Sequence, residues 1–297
     1  MNSKIQIKLA PNSGFCFGVK RAISLAQEAA GSGKDIVTLG PIIHNPQVVQ
    51  RLREKGVNDI SNISEVVDET VIIRSHGVEK DILDLLKEKD VEVIDATCPY
   101  VAKAQELARF LSQEGYPVVI MGNADHPEVK AICSNISGKY FVLDKELILP
   151  ERYYPKLGLI SQTTKSLKDF QELAGKLVTY AKELRVVNTI CSATSVRQQA
   201  SLRLAEESDI MIVIGGRNSS NTKMLANICK NIIETQHIET AEELDEQWFD
   251  GKKKIGLTAG ASTPDWIIVN IYNEINKCTG NGSPVITSID EIPGYKE

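Results

Sequence analysis

The stretch Gly14-Phe15-Cys16-Phe17-Gly18 decides the fold, because the chain repeats its pattern twice more. A cysteine lies at the centre of each copy, and a stretch with the apolar spacing of a helix follows it. The later copies run from Ala96 to Tyr100 and from Thr189 to Ala193, and the helical stretches run from Val19 to Ala30, Val101 to Glu114 and Val196 to Glu207. Each cysteine is therefore predicted to lie where a helix begins.

An apolar strand that ends in glycine and then a polar loop follow each predicted helix. The strands are predicted at Ile36 to Gly40, Val118 to Gly122 and Ile210 to Gly216. The loops place His44, His126 and Ser219 each 28 residues after the cysteine of their unit. A second polar loop follows a further apolar strand in each unit, at Arg74 to Gly77, Ser161 to Thr164 and Thr258 to Thr263. The three units thus match element by element.

This order of elements predicts an α/β protein made of three pseudo-repeated small modules. We expect the modules at residues 1–97, 98–190 and 191–281, with a tail at 282–297 that has no place in the repeat. Ligands of open α/β sheets bind beyond the carboxyl ends of the strands, where the cysteines and both sets of loops fall. Three independent domains are the alternative, but no Gly/Ser- or Pro-rich linker separates the units. We therefore expect the three rims to form one central site.

Composition narrows the class of protein. The 297 residues are 42% hydrophobic and 25% charged, and no apolar run is long enough to span a membrane. The N-terminal residues lack the pattern of a signal peptide, so a cytoplasmic location is expected. The net charge of −5 argues against a nucleic-acid partner.

The repeated cysteines, Cys16, Cys98 and Cys191, are candidates for metal ligands. The start of a helix lowers the pKa of a thiol and favours the thiolate that metals bind. Zinc sites usually take cysteines in close pairs, whereas these lie 82 and 93 residues apart, which favours an iron-sulfur cluster. A cubane with three cysteine ligands leaves one iron open as a Lewis acid, so the predicted site is catalytic. The other cysteines, Cys133, Cys229 and Cys278, are predicted to be small buried residues.

The polar loops have the composition of an anion site. Three of the four histidines, His44, His76 and His126, lie in them, and His237 lies elsewhere and is predicted to be structural. The third unit offers Ser219-Ser220-Asn221, which are poor metal ligands and good hydrogen-bond donors. Such donors at helix starts fit a phosphate or diphosphate, and no nucleotide-binding glycine motif is present. Glu128 is the carboxylate best placed for proton transfer, with a favourable interaction with the helix dipole as its alternative role.

Taken together, these passages resemble the 4-hydroxy-3-methylbut-2-enyl diphosphate reductase family of the non-mevalonate isoprenoid pathway. The resemblance spans nearly the whole chain. Its matching passages are Gly14–Val19, His44–Pro46, Arg74–Gly77, Asp95–Pro99, His126–Glu128, Ser161–Thr164, Cys191, Ser219–Asn221 and Thr258–Ser262. It implies a three-lobed α/β fold around a central 4Fe-4S cluster, and reductive removal of the substrate's hydroxyl to give isopentenyl and dimethylallyl diphosphates.

The same resemblance implies a role for each site residue. Cys16, Cys98 and Cys191 are expected to bind the cluster. Glu128, Thr163 and His126 are the expected catalytic residues, and Glu128 and Thr163 are expected to face the allylic hydroxyl. The residues expected around the diphosphate are His44, His76, His126, Ser219, Ser220, Asn221 and Ser262. A ferredoxin or flavodoxin is expected as electron donor, which predicts a basic patch near the cluster. A redox-sensing phosphate-binding module, which would need the thiols but not Glu128 or Thr163, and a zinc hydrolase remain the alternatives.

Overall fold

The structure is a computed structural model that describes residues 5–144, 148–280, 283–284, 286–287 and 289–292. Within these residues, α-helices separate most of the consecutive strands. The strands are β1 Gln6–Leu9, β2 Ile36–Leu39, β3 Val57–Ile60, β4 Thr70–Ile73, β5 Val93–Asp95, β6 Val118–Met121, β7 Tyr140–Leu143, β8 Tyr154–Ser161, β9 Ala181–Val186, β10 Ile210–Ile214, β11 Thr235–Ile238, β12 Lys254–Ala259 and β13 Ser283–Pro284. The α-helices are α1 Phe17–Ala30, α2 Pro46–Arg53, α3 Lys80–Glu88, α4 Pro99–Gln113, α5 Pro127–Cys133, α6 Leu167–Leu177, α7 Ser192–Glu207, α8 Ser220–Lys230 and α9 Asp265–Cys278.

The strands form three parallel sheets, which confirms the predicted α/β class and its threefold repeat. Their orders are β3-β2-β4-β5, β7-β6-β8-β9 and β11-β10-β12-β1-β13. Every strand pairing in the described part of the chain is parallel. The first four strands of each order follow one scheme, in which the strand after the cysteine's helix lies between the next two strands along the chain. The polar loops follow these strands and so lie at their carboxyl ends.

In one of the three sheets, the fourth strand comes from a different part of the chain than the predicted modules imply. In two sheets it is the strand just before the next cysteine, β5 before Cys98 and β9 before Cys191. In the third sheet this place belongs to β1, the strand before Cys16, which pairs with β12. The prediction put residues 6–9 in the first module, because spacing along the chain carries no information about which distant strand β1 pairs with. The boundaries at 97/98 and 190/191 stay a prediction.

The tail also contributes to the third sheet. Strand β13 pairs with the free side of β1 and adds a fifth strand that the other two sheets lack. Half of the predicted tail, residues 282, 285, 288 and 293–297, lies outside the described residues, as does residue 281.

The chain divides into two compact units. One unit consists of Met1–Cys16, His44–Pro46 and Ser192–Glu297 and contains the sheet of β10. The other consists of Phe17–Ile43 and Gln47–Cys191 and contains the other two sheets. A short segment around His44 thus belongs with the third sheet, although the flanking helices α1 and α2 belong to the first repeat.

The central strands carry the cores. All five residues of β10, Ile210–Ile214, are 0% exposed, as expected of a parallel strand covered by helices on both faces. Burying each large aliphatic side chain contributes about 1.5–3 kcal/mol before the entropy cost of ordering it. The strand ends are therefore held firmly where the polar loops begin. No helix of the described residues has the length and apolar character that crossing a membrane requires.

Candidate active site

Each of the three repeated cysteines lies at the start of a helix, as predicted. Cys16 directly precedes α1, Cys98 is the N-cap residue of α4, and Cys191 directly precedes α7. The helices begin two to four residues earlier than their apolar spacing predicted. In α4 the reason is Pro99, whose fixed φ suits the first helical position.

The backbone of each cysteine is tied to the second polar loop of a module. The amide of Cys16 donates to the carbonyl oxygen of Ala261 (3.1 Å), that of Cys98 to Ser75 (3.0 Å) and that of Cys191 to Thr163 (3.0 Å). The three bonds are equivalent in the repeat, because each acceptor lies in the loop that follows the third strand of the scheme. The loops predicted to bind substrate therefore also hold the predicted metal ligands.

The three cysteines that were not predicted as metal ligands have thiols with raised pKa values. Burial raises the pKa of the Cys229 thiol to about 12 and that of Cys133 to about 11, and the pKa of Cys278 is also raised. A raised pKa disfavours the thiolate form that metals bind. Of these three, only Cys229 is fully buried; the predicted burial is wrong for Cys133 and Cys278, which are half-buried like the predicted ligands. Cys16, Cys98 and Cys191 differ from them in lying where a helix begins, with helix N–H groups beside them. The donor set therefore fits a thiolate-bound metal centre.

Gly18 lies against Cys98 and was not singled out from the sequence. A Cβ atom built on Gly18 would lie 2.5 Å from the sulfur of Cys98, which is closer than any real contact. Glycine in the first turn of α1 thus leaves room for the thiol of another repeat. Its place in the motif around Cys16 was visible, but its contact with Cys98 depends on tertiary packing.

Glu128 and Thr163 form a buried pair. The Thr163 amide donates to Oε1 of Glu128 (2.6 Å), and the Thr163 hydroxyl is 2.9 Å from Oε2. Glu128 is 1% exposed, and its burial raises its pKa from 4.5 to about 7, against the two bonds from Thr163, which lower it. Desolvation outweighs these bonds because a carboxylate loses far more hydration than two donors replace. The carboxyl group of Glu128 in this pair can therefore hold a proton near neutral pH.

His126 caps the helix that carries Glu128. Its Nδ1 accepts a hydrogen bond from the Glu128 amide (3.2 Å), so in the neutral ring the proton lies on Nε2 and that atom is a donor. His76 packs edge-on against His126, with ring centroids 5.5 Å apart. These two histidines therefore lie together, beside the Glu128 and Thr163 pair.

The loop before α8 holds the predicted serines and asparagine. Ser219 is the N-cap residue and its hydroxyl accepts from the Thr222 amide (3.3 Å), while Ser220 and Asn221 begin the helix. Asn221 is 4% exposed, and neither polar atom of its side chain has a hydrogen-bond partner in the described structure. An unpaired buried amide costs about 1–3 kcal/mol, so this position indicates a bound polar ligand.

His44 and Ser262 meet in the same compact unit as α8. The Ser262 hydroxyl donates to the carbonyl oxygen of His44 (3.1 Å). A Cβ atom on Gly216 would lie 2.8 Å from that same oxygen, so a glycine is required where the two loops cross. The second polar loop of the third repeat and the loops of His44 and Gly216 thus converge.

Two further buried residues position this machinery without having been assigned a role from the sequence. Gln162, 0% exposed, accepts from the Asn123 amide (3.1 Å) and so links the loop of Thr163 to the loop that leads to His126. Arg197, 3% exposed on α7, donates to the carbonyl oxygen of Gly14 (2.8 Å), two residues before Cys16. Gln162 lay inside a quoted motif, but nothing in a single sequence marks Arg197 as buried.

The fold and these residues define a class of protein: a threefold α/β repeat that presents one cysteine and two polar loops from each repeat. Comparison with known proteins agrees. The chain matches the LytB protein family over residues 7–276 and belongs to that family. The resemblance recognised in the sequence is thereby confirmed.

Curated relatives carry one name. The protein of Geotalea uraniireducens (strain Rf4) is 49% identical over 277 residues, with 92% of this chain and 98% of that protein covered, and is called 4-hydroxy-3-methylbut-2-enyl diphosphate reductase. The protein of Geobacter sp. (strain M21), of the same name, is 50% identical over 276 residues, with 92% and 97% covered.

Solved structures agree with these relatives. A structure of (E)-4-hydroxy-3-methyl-but-2-enyl diphosphate reductase, described as the terminal enzyme of the non-mevalonate pathway, is 45% identical, with a TM-score of 0.68 and coverage of 92% of this chain and 99% of that one. The E-1-hydroxy-2-methyl-but-2-enyl-4-diphosphate reductase from Plasmodium falciparum is 28% identical, with a TM-score of 0.87 and coverage of 99% and 95%.

Proposed function

We propose that this chain reduces (E)-4-hydroxy-3-methylbut-2-enyl diphosphate to isopentenyl and dimethylallyl diphosphates, using a 4Fe-4S cluster bound by Cys16, Cys98 and Cys191. The reaction consumes two electrons and two protons, breaks the carbon–oxygen bond of the hydroxyl and releases water. The buried pair of Glu128 and Thr163 is the observation that carries this proposal, because it holds a proton near neutral pH in a protein family that removes a hydroxyl.

The chain has residues suited to binding the cluster, protonating the leaving hydroxyl and binding the diphosphate. The cluster, when bound, supplies the electrons and a Lewis-acidic iron. Thr163 orients the carboxyl group of Glu128, whose proton goes to the leaving hydroxyl. His126 donates from Nε2, and His44, His76, Ser219, Ser220, Asn221 and Ser262 complete the set proposed to bind the diphosphate.

The unpaired amide of Asn221 supports the diphosphate assignment. It lies at the start of α8, where free backbone N–H groups and the helix dipole favour an anion. A diphosphate oxygen accepts from the amide nitrogen, and a bridging water or a second ligand group pairs with the amide oxygen. Binding would therefore remove the cost of both unpaired atoms.

A ferredoxin or flavodoxin is proposed as the electron donor, because the resemblance to the reductase family implies one. The proposal includes a cytoplasmic location, where the six free cysteines stay reduced.

Elemental analysis of anaerobically purified protein tests the cluster first. We expect about four irons and matching sulfide per chain. One zinc per chain without iron would support a zinc hydrolase instead. Turnover is then measured with a reduced one-electron donor, and both diphosphate products are quantified by mass spectrometry. A protein with a full cluster that yields neither product would be a redox sensor, and the proposed reaction would be wrong.

A further inference from the structure

His237 lies beside the loop that leads to the proposed diphosphate residues. It is the third residue of β11, and its Nε2 is 2.8 Å from the carbonyl oxygen of Gly215, the first residue after β10. The Gly215 amide in turn donates to the carbonyl oxygen of Ile238 (2.9 Å). Both polar groups of Gly215 are thus held by the end of one neighbouring strand.

A carbonyl oxygen can only accept, so Nε2 of His237 must carry the proton of this bond. Burial lowers the pKa of His237, and the cations of Arg217 and Lys230 lower it further. These effects outweigh the bond to Gly215 and the carboxylate of Glu239, which raise the pKa, so the neutral ring with its proton on Nε2 is the stable form near pH 7. The His237 side chain is thus a fixed hydrogen-bond donor to the Gly215 carbonyl, a more specific role than the structural one predicted from the sequence.

The next residues after His237 hold the same loop at a second point. Glu239 accepts from the Arg217 amide (2.5 Å), and the Arg217 guanidinium forms ion pairs with Glu239 (3.7 Å) and with Glu243. Glu243 itself accepts from the amides of Glu239 (2.8 Å) and Thr240 (3.2 Å). The carbonyl of Gly215 and the amide of Arg217 are therefore both fixed, and Ser219 follows two residues later.

The other two repeats show that this arrangement is particular to the third. The glycines equivalent to Gly215 are Gly40 and Gly122, each 24 residues after its cysteine. The backbone amides of both donate to a carbonyl oxygen of the next strand (2.8 and 2.9 Å), as that of Gly215 does. The strand residues equivalent to His237 are Asp59 and Val142, which offer no such donor. In the first repeat Thr38 donates to the Gly40 carbonyl instead (2.8 Å).

Proline accounts for the difference between the repeats. The helix after the loop begins with Pro46 in the first repeat and with Pro127 in the second, and proline restricts the backbone there. The third repeat has no proline between Gly215 and Asn221, where the helix begins with Ser220 instead. A loop of two glycines without proline loses more conformational freedom on ordering, and side-chain contacts must hold it.

We propose that His237 is a positioning residue for the diphosphate: its imidazole holds the Gly215 carbonyl so that Ser219, Ser220 and Asn221 are already ordered when the ligand binds. This inference rests on the proposed function for the identity of the ligand. Ordering a loop before binding lowers the entropy cost of binding, so its loss weakens affinity rather than the chemical step.

The test compares His237→Leu with His237→Gln in the cluster-loaded protein. Leu removes the donor, whereas Gln places an amide N–H near the position of Nε2. We expect His237→Leu to raise KM for the substrate and the inhibition constant of inorganic diphosphate by roughly 3- to 10-fold, as for the loss of one neutral hydrogen bond, with kcat within about 2-fold. His237→Gln should recover most of the affinity, and iron per chain should equal that of the wild type in both.

Thr235→Val is the matched control on the same strand. Thr235 is 7% exposed and its hydroxyl donates to the carbonyl oxygen of Ile233 (2.9 Å), away from the loop. This variant should lower the melting temperature without changing either constant. Unchanged affinities in His237→Leu, or a loss in Thr235→Val equal to the loss in His237→Leu, would show that His237 only stabilises the fold. A wild-type protein that binds neither substrate nor inorganic diphosphate would instead overturn the proposed function.

Discussion

Replacing Glu128 by glutamine tests the proposed proton donor with little change in structure. The carboxyl oxygens lie 2.6 Å from the Thr163 amide and 2.9 Å from its hydroxyl. In the variant, the glutamine oxygen still accepts from the amide, and its NH₂ group donates to the hydroxyl. The pair keeps both contacts but has lost the acidic proton. We expect iron content and substrate affinity like those of the wild type.

The rate should fall because nothing else in the pair supplies a proton. Loss of a positioned acid lowers turnover by roughly 10²- to 10⁴-fold. With a pKa of about 7, about half of the Glu128 side chains carry the proton at pH 7, about a tenth at pH 8 and about a hundredth at pH 9. The wild-type kcat/KM should therefore decline above pH 7, and the remaining activity of Glu128→Gln should lack that decline.

The raised pKa also predicts a sign for stability. The folded protein binds the proton of Glu128 more tightly than the unfolded chain does, so this stabilisation is fully present below pH 4.5 and is lost as the pH rises through about 7. The melting temperature of Glu128→Gln relative to the wild type should consequently rise between those pH values.

Asp125→Asn is the control for charge in the same loop, because Asp125 is exposed and three residues from Glu128. It should turn over within about 2-fold of the wild type, as expected of a substitution at an exposed side chain. Anaerobic turnover with a reduced one-electron donor measures both variants. A Glu128→Gln enzyme within a few-fold of the wild type, or with the same decline above pH 7, would refute the assignment of Glu128 as the acid.

Three other predictions concern the cluster and the diphosphate. Changing any predicted ligand to serine, Cys98→Ser for example, should abolish the intact cluster and turnover, whereas Cys229→Ser should keep both; equal iron loss in the two would contradict the repeat-based assignment. His76→Ala should weaken substrate more than a diphosphate-free analogue and keep its iron, and iron loss would make the histidine a metal ligand. Gly18→Ala should lower iron per chain, because its Cβ would meet the Cys98 sulfur at 2.5 Å. The control is Gly175→Ala in α6, where a Cβ meets nothing within 4 Å, and it should stabilise the protein by about 0.5–1 kcal/mol. Equal iron contents in the two variants would contradict this contact.

The repeat could be predicted from the sequence because it is local. Cysteine, helix, strand and loop recur at fixed spacing, and β2, β6 and β10 lie where the apolar runs placed them. The helix starts at Cys16, Cys98 and Cys191 followed from the same spacing. Each signal lies within about thirty residues of chain, the range over which periodicity is informative.

The rest depends on contacts between distant segments. β1 pairs with β12, some 250 residues away, and no local pattern distinguishes this partner from a strand of the first repeat. The contact of Gly18 with Cys98 and the bond of His237 to Gly215 depend on tertiary packing in the same way. The raised pKa of Glu128 follows from its burial, which also depends on tertiary packing.

The hydrogen bonds at the cysteines would allow the same loops to serve both the proposed cluster and the proposed substrate. Cys98 is anchored to the carbonyl of Ser75, the residue before His76, and Cys191 to the carbonyl of Thr163, the partner of Glu128. These anchors use backbone atoms, so the adjacent side chains are free to change without releasing the cysteines. The loops can thus vary in the groups they present, histidine in one repeat and threonine in another, while the cysteine positions stay fixed. A backbone substitution in the same loops should behave differently: proline at residue 75 or 163, by displacing the carbonyl or its neighbours, should cost the metal centre as well as the substrate site.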